Sequence, residues 1–245
     1  MKQSMTGLVS LGLASVLLLA GCGKSDDVLV VGTNATFPPF EYVGGASGDE
    51  IQGFDIELAK QIAKDAGKTL KVENMNFDSL IVALNAGKID FIASGMTITP
   101  ERQASVDFST PYYEATQLVL VNKDNTSINS IDDLKGKHIA VQLGSTGDIM
   151  AKSYSQKVTA FNTGFEAVME LKNNKVDLVL FDSEPAMSFL NKNPQLKMVE
   201  LDFDAEFYGL AVPKGKTELL NSINATLTSM KSNGAYDALV TKYMK

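Results

Sequence analysis

The chain predicts an α/β protein of two similar lobes, each a βαβαβ-type open sheet, joined by a hinge of two strands. Three observations carry this reading. Short apolar strands alternate with helices of 3.6-residue periodicity along most of the length. The segments Leu84-Asn85-Ala86-Gly87-Lys88-Ile89-Asp90-Phe91-Ile92-Ala93-Ser94-Gly95 and Leu171-Lys172-Asn173-Asn174-Lys175-Val176-Asp177-Leu178-Val179-Leu180-Phe181-Asp182 share one form: a helix end, Lys-x-Asp, then an apolar strand opening on polar residues. Two further apolar strands, Thr116 to Val121 and Phe207 to Val212, bracket the second copy and make the natural crossings, with a cleft between the lobes.

The N-terminus stands outside this pattern. Met1-Lys2-Gln3 is a basic start, Leu8 to Ala20 an apolar run too short to span a membrane, and Leu19-Ala20-Gly21 a small-residue end before Cys22, the only cysteine. Leu-Ala-Gly-Cys resembles the bacterial lipobox, which implies cleavage before Cys22 and lipidation of its thiol. Residues 1–21 are then a lipoprotein signal peptide and 22–27 a polar lipidated tether. Losing them to Gly21 removes one lysine and no acid, so the formal charge moves from −7 to −8, a poor surface for nucleic acid. With a single cysteine there is no internal disulfide, and stability rests on packing. The 245 residues, 44% apolar and 21% charged, suffice for two cores.

Val28 to Val31 reads as a buried parallel strand ending at Gly32-Thr33-Asn34. Ala35 to Tyr42 is an extended aromatic stretch held by Pro38 and Pro39, and Val43 to Gln52 an exposed hairpin tip. A helix follows from Phe54, with Leu58, Ile62 and Ala66 on one face and Gly67 as its stop. Lys71 to Asn74 is a strand; Asp78 caps a second helix with Leu80, Ile81 and Leu84 inward; Ile89 to Ala93 returns to the sheet. Val106 to Tyr113 reads as a loop leading to the Thr116 strand, and Asn122 to Asn129 as another. In the second lobe come a strand at His138 to Val141, the small-residue loop Gln142 to Gly147, a helix from Asp148, a strand at Lys157 to Phe161, and a helix marked by Phe165, Val168, Met169 and Leu171. After the strand ending at Asp182 and the Phe207 to Val212 crossing, helices at Thr217 to Asn233 and Ala235 to Lys242 close the chain.

The stretch Ser94-Gly95-Met96-Thr97-Ile98-Thr99-Pro100-Glu101-Arg102 is the chemical centre. Thr99 and Pro100 read as N-cap and first residue of a helical turn. The turn gathers hydroxyls, backbone N–H groups and the planar fork of Arg102, which matches a carboxylate two bonds at a time. That is a carboxylate clamp at the end of a strand, where ligands of α/β sheets gather.

With Gly32 to Glu41, Gly53-Phe54-Asp55-Ile56, Gly95 to Arg102, Gly144-Ser145-Thr146-Gly147 and Phe181-Asp182 in this order behind a lipobox, the chain from Val28 to Lys245 resembles the polar amino-acid-binding family of ABC-transporter solute receptors. That family has the type II periplasmic-binding fold. The resemblance implies lobes at 28–117 with 211–245 and at 118–210. It also implies roles. Arg102 would hold the α-carboxylate of an L-amino acid, helped by Thr97 and by the N–H of Thr146 beside Ser145; Asp182 would take the α-ammonium, with Ser94, Gly95 and Met96 alongside; Phe37 and Phe54 would sandwich the side chain. Phenyl faces, with Glu41 and Glu184 for negative field, suit a guanidinium or ammonium. Asn34 and Gln142 are amides that pair equally with a carboxamide. Arginine or lysine is favoured, glutamine or another polar amino acid the alternative. Implied partners are a membrane permease and the lipid anchor, the protein being an extracytoplasmic monomer without cofactor.

An enzyme of the same fold, akin to cyclohexadienyl dehydratase, is the rival class. The chain has little chemistry for it: His138 lies in an apolar strand as a structural residue, Cys22 is committed to lipid, and there is no Cys/His cluster for zinc. The Gly144 to Gly147 loop lacks the Gly-Lys-Ser/Thr ending of a P-loop.

Overall fold

The computed structural model describes residues 27–45 and 47–244, so the basic start, the apolar run and Cys22 lie outside the described residues. The first lobe begins with β1 (Val28–Thr33), β2 (Thr36–Phe37), β3 (Glu41–Gly44), β4 (Glu50–Gln52), α1 (Phe54–Asp65), β5 (Thr69–Asn74), α2 (Leu80–Asn85) and β6 (Phe91–Ile92). Next are α3 (Pro100–Ser105), β7 (Val106–Phe108), β8 (Tyr113–Ala115) and β9 (Gln117–Asn122). The second repeat contributes β10 (Ile139–Gln142), α4 (Thr146–Tyr154), β11 (Val158–Phe161), α5 (Gly164–Lys172), β12 (Leu178–Asp182), α6 (Ser183–Asn191) and β13 (Leu196–Val199). The return consists of β14 (Glu206–Tyr208), β15 (Ala211–Pro213), α7 (Thr217–Ser232) and α8 (Ala235–Tyr243).

Two five-stranded sheets form, in the orders β5-β1-β6-β15-β7 and β11-β10-β12-β9-β13. In each, three strands run parallel through βαβ crossovers, a fourth (β15 or β9) runs against them, and the edge strand (β7 or β13) pairs antiparallel with that fourth. The sequence repeat has a definite local cause. Gly87 (φ 69°) and Asn174 (φ 56°) stop their helices in the left-handed conformation, and Lys88 and Lys175 N–H groups close back on Ala83 and Glu170 carbonyls at 3.0 Å. Asp90 and Asp177 then accept the N–H of the neighbouring strand, Val30 and His138, at 2.7 Å each. His138 has its own structural bond, Nε2 to the Thr159 hydroxyl at 2.8 Å.

Three readings change. The lobes are crossed by the antiparallel pair β8 and β14, with Glu206 opposite Ala115 and Tyr208 opposite Tyr113. The Thr116 to Val121 stretch lies almost wholly in the second sheet as β9, and the Phe207 to Val212 stretch divides between β14 and β15. Val106 to Tyr113 is likewise not one loop, since β7 is the edge strand of the first sheet; its side pairing with β15 is invisible to local periodicity. Asp78 sits in a 3₁₀ turn before α2 and does not cap that helix. Phe54, Leu58 and Ile62 face inward as expected.

The start of α1 fixes the floor of the first lobe. Its free N–H groups at Phe54 and Asp55 donate to the carbonyls of Pro39 (3.1 Å) and Phe40 (2.9 Å). Gly53 permits this with φ 138° and ψ 178°, a region open to glycine alone, and a Cβ there would stand 2.1 Å from the Phe40 oxygen. Gly53→Ala is therefore expected to destabilise the protein by about 3 kcal/mol or more, the combined cost of strain and displaced backbone, read from chemical denaturation.

Candidate functional site

The carboxyl ends of β1 and β6 meet those of β10 and β12 across a narrow cleft that the side chains lining it almost fill. Phe37, Phe77, Gly95, Thr97 and Arg102 line it from the first lobe, and Gln142, Ser145, Thr146 and Asp182 from the second. A larger, shallower depression between the start of β1 and the start of α7 is lined at the opposite ends of the strands and has no such meeting of lobes.

Arg102 is placed as expected. Thr99 caps α3, its hydroxyl accepting from the Arg102 N–H at 3.2 Å, and Pro100 takes the first helical position. The guanidinium is only 8% exposed. It donates to the Thr97 carbonyl at 2.7 Å and, across the cleft, to the Gly144 carbonyl at 3.0 Å, and lies 5.3 Å from the centre of the Phe77 ring. Burial lowers its pKa, opposed chiefly by the negative fields of Asp182 and Glu206. Carbonyl contacts leave further N–H donors of the five-donor fork for an anion.

Asp182 holds the N-cap position of α6, yet its side chain makes no capping bond. It turns into the cleft instead, accepting from Gln117 Nε2 at 2.7 Å and from the Tyr208 hydroxyl. Burial first, and Glu206 second, push its carboxyl up to about 7, against the hydrogen bonds from Tyr208 and Gln117 and the charge of Arg102. An ammonium ion brought to this carboxylate would satisfy it.

The other expected residues divide into lining and support. Thr97, Gln142, Ser145 and Thr146 line the cavity. Ser145 spends its hydroxyl capping α4 through the Asp148 N–H at 3.1 Å and on the Gln142 carbonyl at 2.8 Å. Asn34 ties the lobes, accepting from Gln142 Nε2 at 3.0 Å and donating to the Met75 carbonyl at 2.8 Å. Gly95, at φ 47°, lets the Phe37 ring lie against the backbone, where a Cβ would be 2.5 Å from a ring carbon. Behind it, Ser94 donates to Glu41 at 2.9 Å, and Asp55 accepts from the Gly95 N–H at 2.8 Å and the Tyr112 hydroxyl at 2.6 Å. Burial raises both acids, Asp55 to about 6 and Glu41 well above its ordinary value, and both support the cleft from beneath.

Three expected contacts are not made. Phe54 is fully buried, stacked on Tyr112 at 6.2 Å with Phe40 and Tyr236 edge-on, in the core of the first lobe. Met96 packs into the core beside Leu80 and Ile89. Glu184 accepts from the hydroxyls of Tyr113 and Ser183 and lines a separate depression. The second aromatic of the cleft is Phe77, opening the 3₁₀ turn just after β5. Its place after the carboxyl end of a strand was the available signal. Gln117, Tyr208 and Glu206 were also missed; they reach the site only because β9 and the crossing β14 run past it, and no local pattern marks them.

Fold and cleft together define a two-lobed protein whose cleft carries an arginine on one wall and an acid on the other. The chain belongs to the bacterial extracellular solute-binding proteins, family 3, whose pattern matches residues 29–245. It is 38% identical over 238 residues to the arginine-binding extracellular protein ArtP of Bacillus subtilis, covering 92% of each chain. To the ABC transporter arginine-binding protein 1 of Escherichia coli it is 36% identical, over 85% of this chain and 87% of that one. Among solved structures, an ancestral arginine-binding protein bound to arginine superposes with a TM-score of 0.85 at 46% identity, covering 89% of this chain and 99% of that one. An ancestral arginine-binding protein bound to glutamine gives the same TM-score of 0.85 and identity of 46%, over 90% and 99%.

Two outcomes follow from this geometry. Phe77→Ala should weaken ligand binding with little loss of stability, whereas Phe54→Ala should cost about 3 to 5 kcal/mol of folding free energy; calorimetric titration and denaturation separate them. The raised acids set the pH dependence. Protonated Asp182 and Asp55 favour the folded state below the ordinary carboxylate pKa, and that contribution is lost as pH rises through about 6 to 7. Thermal scans without ligand should thus show falling stability from about pH 4 to about pH 7, while affinity for an ammonium-bearing ligand rises as pH approaches about 7 with proton release, measured by titration in buffers of different ionisation heat.

Proposed function

We propose that this protein is the extracytoplasmic receptor of an ABC importer, that it closes on one free L-amino acid, arginine or lysine by preference, and that it delivers this ligand to the membrane permease. The observation that carries the reading is the opposition of Arg102 and Asp182 across one small cavity, each from its own lobe. A zwitterion joins them: carboxylate to the guanidinium fork, with the Thr97 and Thr146 N–H groups, and ammonium to Asp182. Phe37 and Phe77 offer ring faces to the side chain, a contact worth about 1 to 2 kcal/mol for a desolvated cation. The names of ArtP and of the arginine-bound ancestral protein support arginine.

Glutamine is the second reading. Gln142 and Asn34 are neutral amides at the cleft, and a 46% identical ancestral protein is described with glutamine bound. Turnover is the rival class: Asp182, with its carboxyl near 7, could serve as an acid, and conversion of a prephenate-like compound would reveal it. The relatives cited are named for binding. The lobes that move are 28–117 with 211–245 and 118–210, and the mature chain is a monomer anchored through lipid on Cys22.

Calorimetric titration of ligand-stripped protein against the twenty amino acids tests the reading. Arginine and lysine are expected to give tight binding; heat from glutamine alone would transfer the assignment to it. Arg102→Ala should lose roughly 3 to 5 kcal/mol of affinity for every amino acid, because Asp182 and the ligand carboxylate would be buried without their counter-charge. Undiminished affinity in that variant would refute the clamp.

A further inference from the structure

Glu206 is the one charged side chain at the cleft that a zwitterion leaves unanswered. It lies on the crossing strand β14 and is 9% exposed. A single oxygen, Oε2, accepts from the Thr97 hydroxyl of the first lobe at 2.7 Å and from the Thr146 hydroxyl of the second at 2.8 Å. The other, Oε1, accepts from Gln117 Nε2 at 3.3 Å. The same two threonines line the cleft, and their N–H groups have no acceptor among the described residues.

The charge count around the cavity is uneven. Arg102 is positive; Asp182 and Glu206 are negative and act on each other and on Arg102. Asp55 and Glu41 lie behind the Gly95 and Ser94 backbone and do not line the cavity, and Asp148 pairs with Lys152 at 2.9 Å. A neutral zwitterion cancels Arg102 against its carboxylate and Asp182 against its ammonium, and one negative charge remains. In an enclosed site such a charge is poorly screened and favours a ligand with a further cation.

We propose that Glu206 is a specificity-determining residue: from the lobe crossing it holds one ligand-facing threonine of each lobe and supplies the surplus negative charge that selects an amino acid with a cationic side chain. This rests on the receptor reading above and names the residue behind its preference.

The test compares arginine with citrulline, its uncharged isostere, by calorimetric titration of the full mature chain and of Glu206→Gln. The amide oxygen of glutamine can still take both threonine hydroxyls, while its NH2 gives up only the 3.3 Å bond from Gln117 Nε2, so size is kept and charge removed. Wild-type protein should prefer arginine by about tenfold or more, and the variant should lose most of that ratio through weaker arginine binding while citrulline changes less than about threefold. Asp182, faced by Glu206, Arg102, Tyr208 and Gln117, should also ionise more readily in the variant, moving the pH midpoint of binding downward. Equal losses for both ligands, or an unchanged ratio with an unmoved midpoint, would overturn the proposal. Should Glu206→Gln fail to fold in a thermal scan, the wild-type ratio still decides: equal affinity for arginine and citrulline rejects charge selection and leaves the receptor standing, whereas binding of neither rejects the receptor.

Discussion

The structure turns on keeping a guanidinium dry. Removing Arg102 from water costs several kcal/mol unless opposite charge and hydrogen-bond acceptors meet it. Neither lobe supplies enough of these alone. The first lobe gives the Thr97 carbonyl, the second gives the Gly144 carbonyl and Asp182, and the crossing gives Glu206. The contacts that keep this guanidinium dry are therefore drawn from both lobes and from the crossing between them. The same accounting explains why a site so small holds so many charges: Arg102, Asp182 and Glu206 act on one another across the gap.

Around this centre the fold repeats one device. A left-handed helix stop, at Gly87 and again at Asn174, turns the chain so that an aspartate, Asp90 or Asp177, takes the N–H at the start of the neighbouring central strand. Each parallel pair is therefore set in register before its strand reaches the cleft. The two strands then deliver different chemistry at equivalent places: Ser94 and Gly95 with their buried acid support in one lobe, and Asp182 with its amide and phenol donors in the other. Duplication of the scaffold and divergence of its strand ends produce a cleft with opposite charges on its walls.

The aromatic residues show how layers are shared. Phe37 touches Phe181 of the other lobe at 5.5 Å and Tyr208 of the crossing at 6.4 Å, while Phe54 and Phe40 lie one layer deeper. A single aromatic cluster therefore spans floor, cleft and hinge. Phe54 followed a glycine in a recognisable motif, and that made it look like a cleft residue. What decides its burial is Gly53, whose backbone lets α1 start against the Pro39 and Phe40 carbonyls and points the first helical side chain inward.

The resemblance of their motifs to a known family marked Phe37, Gln142, Ser145, Thr146 and Asp182 for the cleft, whereas the sequence by itself determined the fold class, the repeat, the helix stops and the Ser94 to Arg102 turn. These are legible because periodicity, capping and strand-end loops are local, written within a few residues of one another. Tertiary structure alone decided the lobe crossing at β8 and β14, the exchange of Phe54 for Phe77, and the place of Glu206, Gln117 and Tyr208. Those depend on antiparallel strands that pair far apart in the chain and on which layer an aromatic enters. Glu206 meets Thr97 across more than a hundred positions of sequence, and no pattern read along the chain records such a contact.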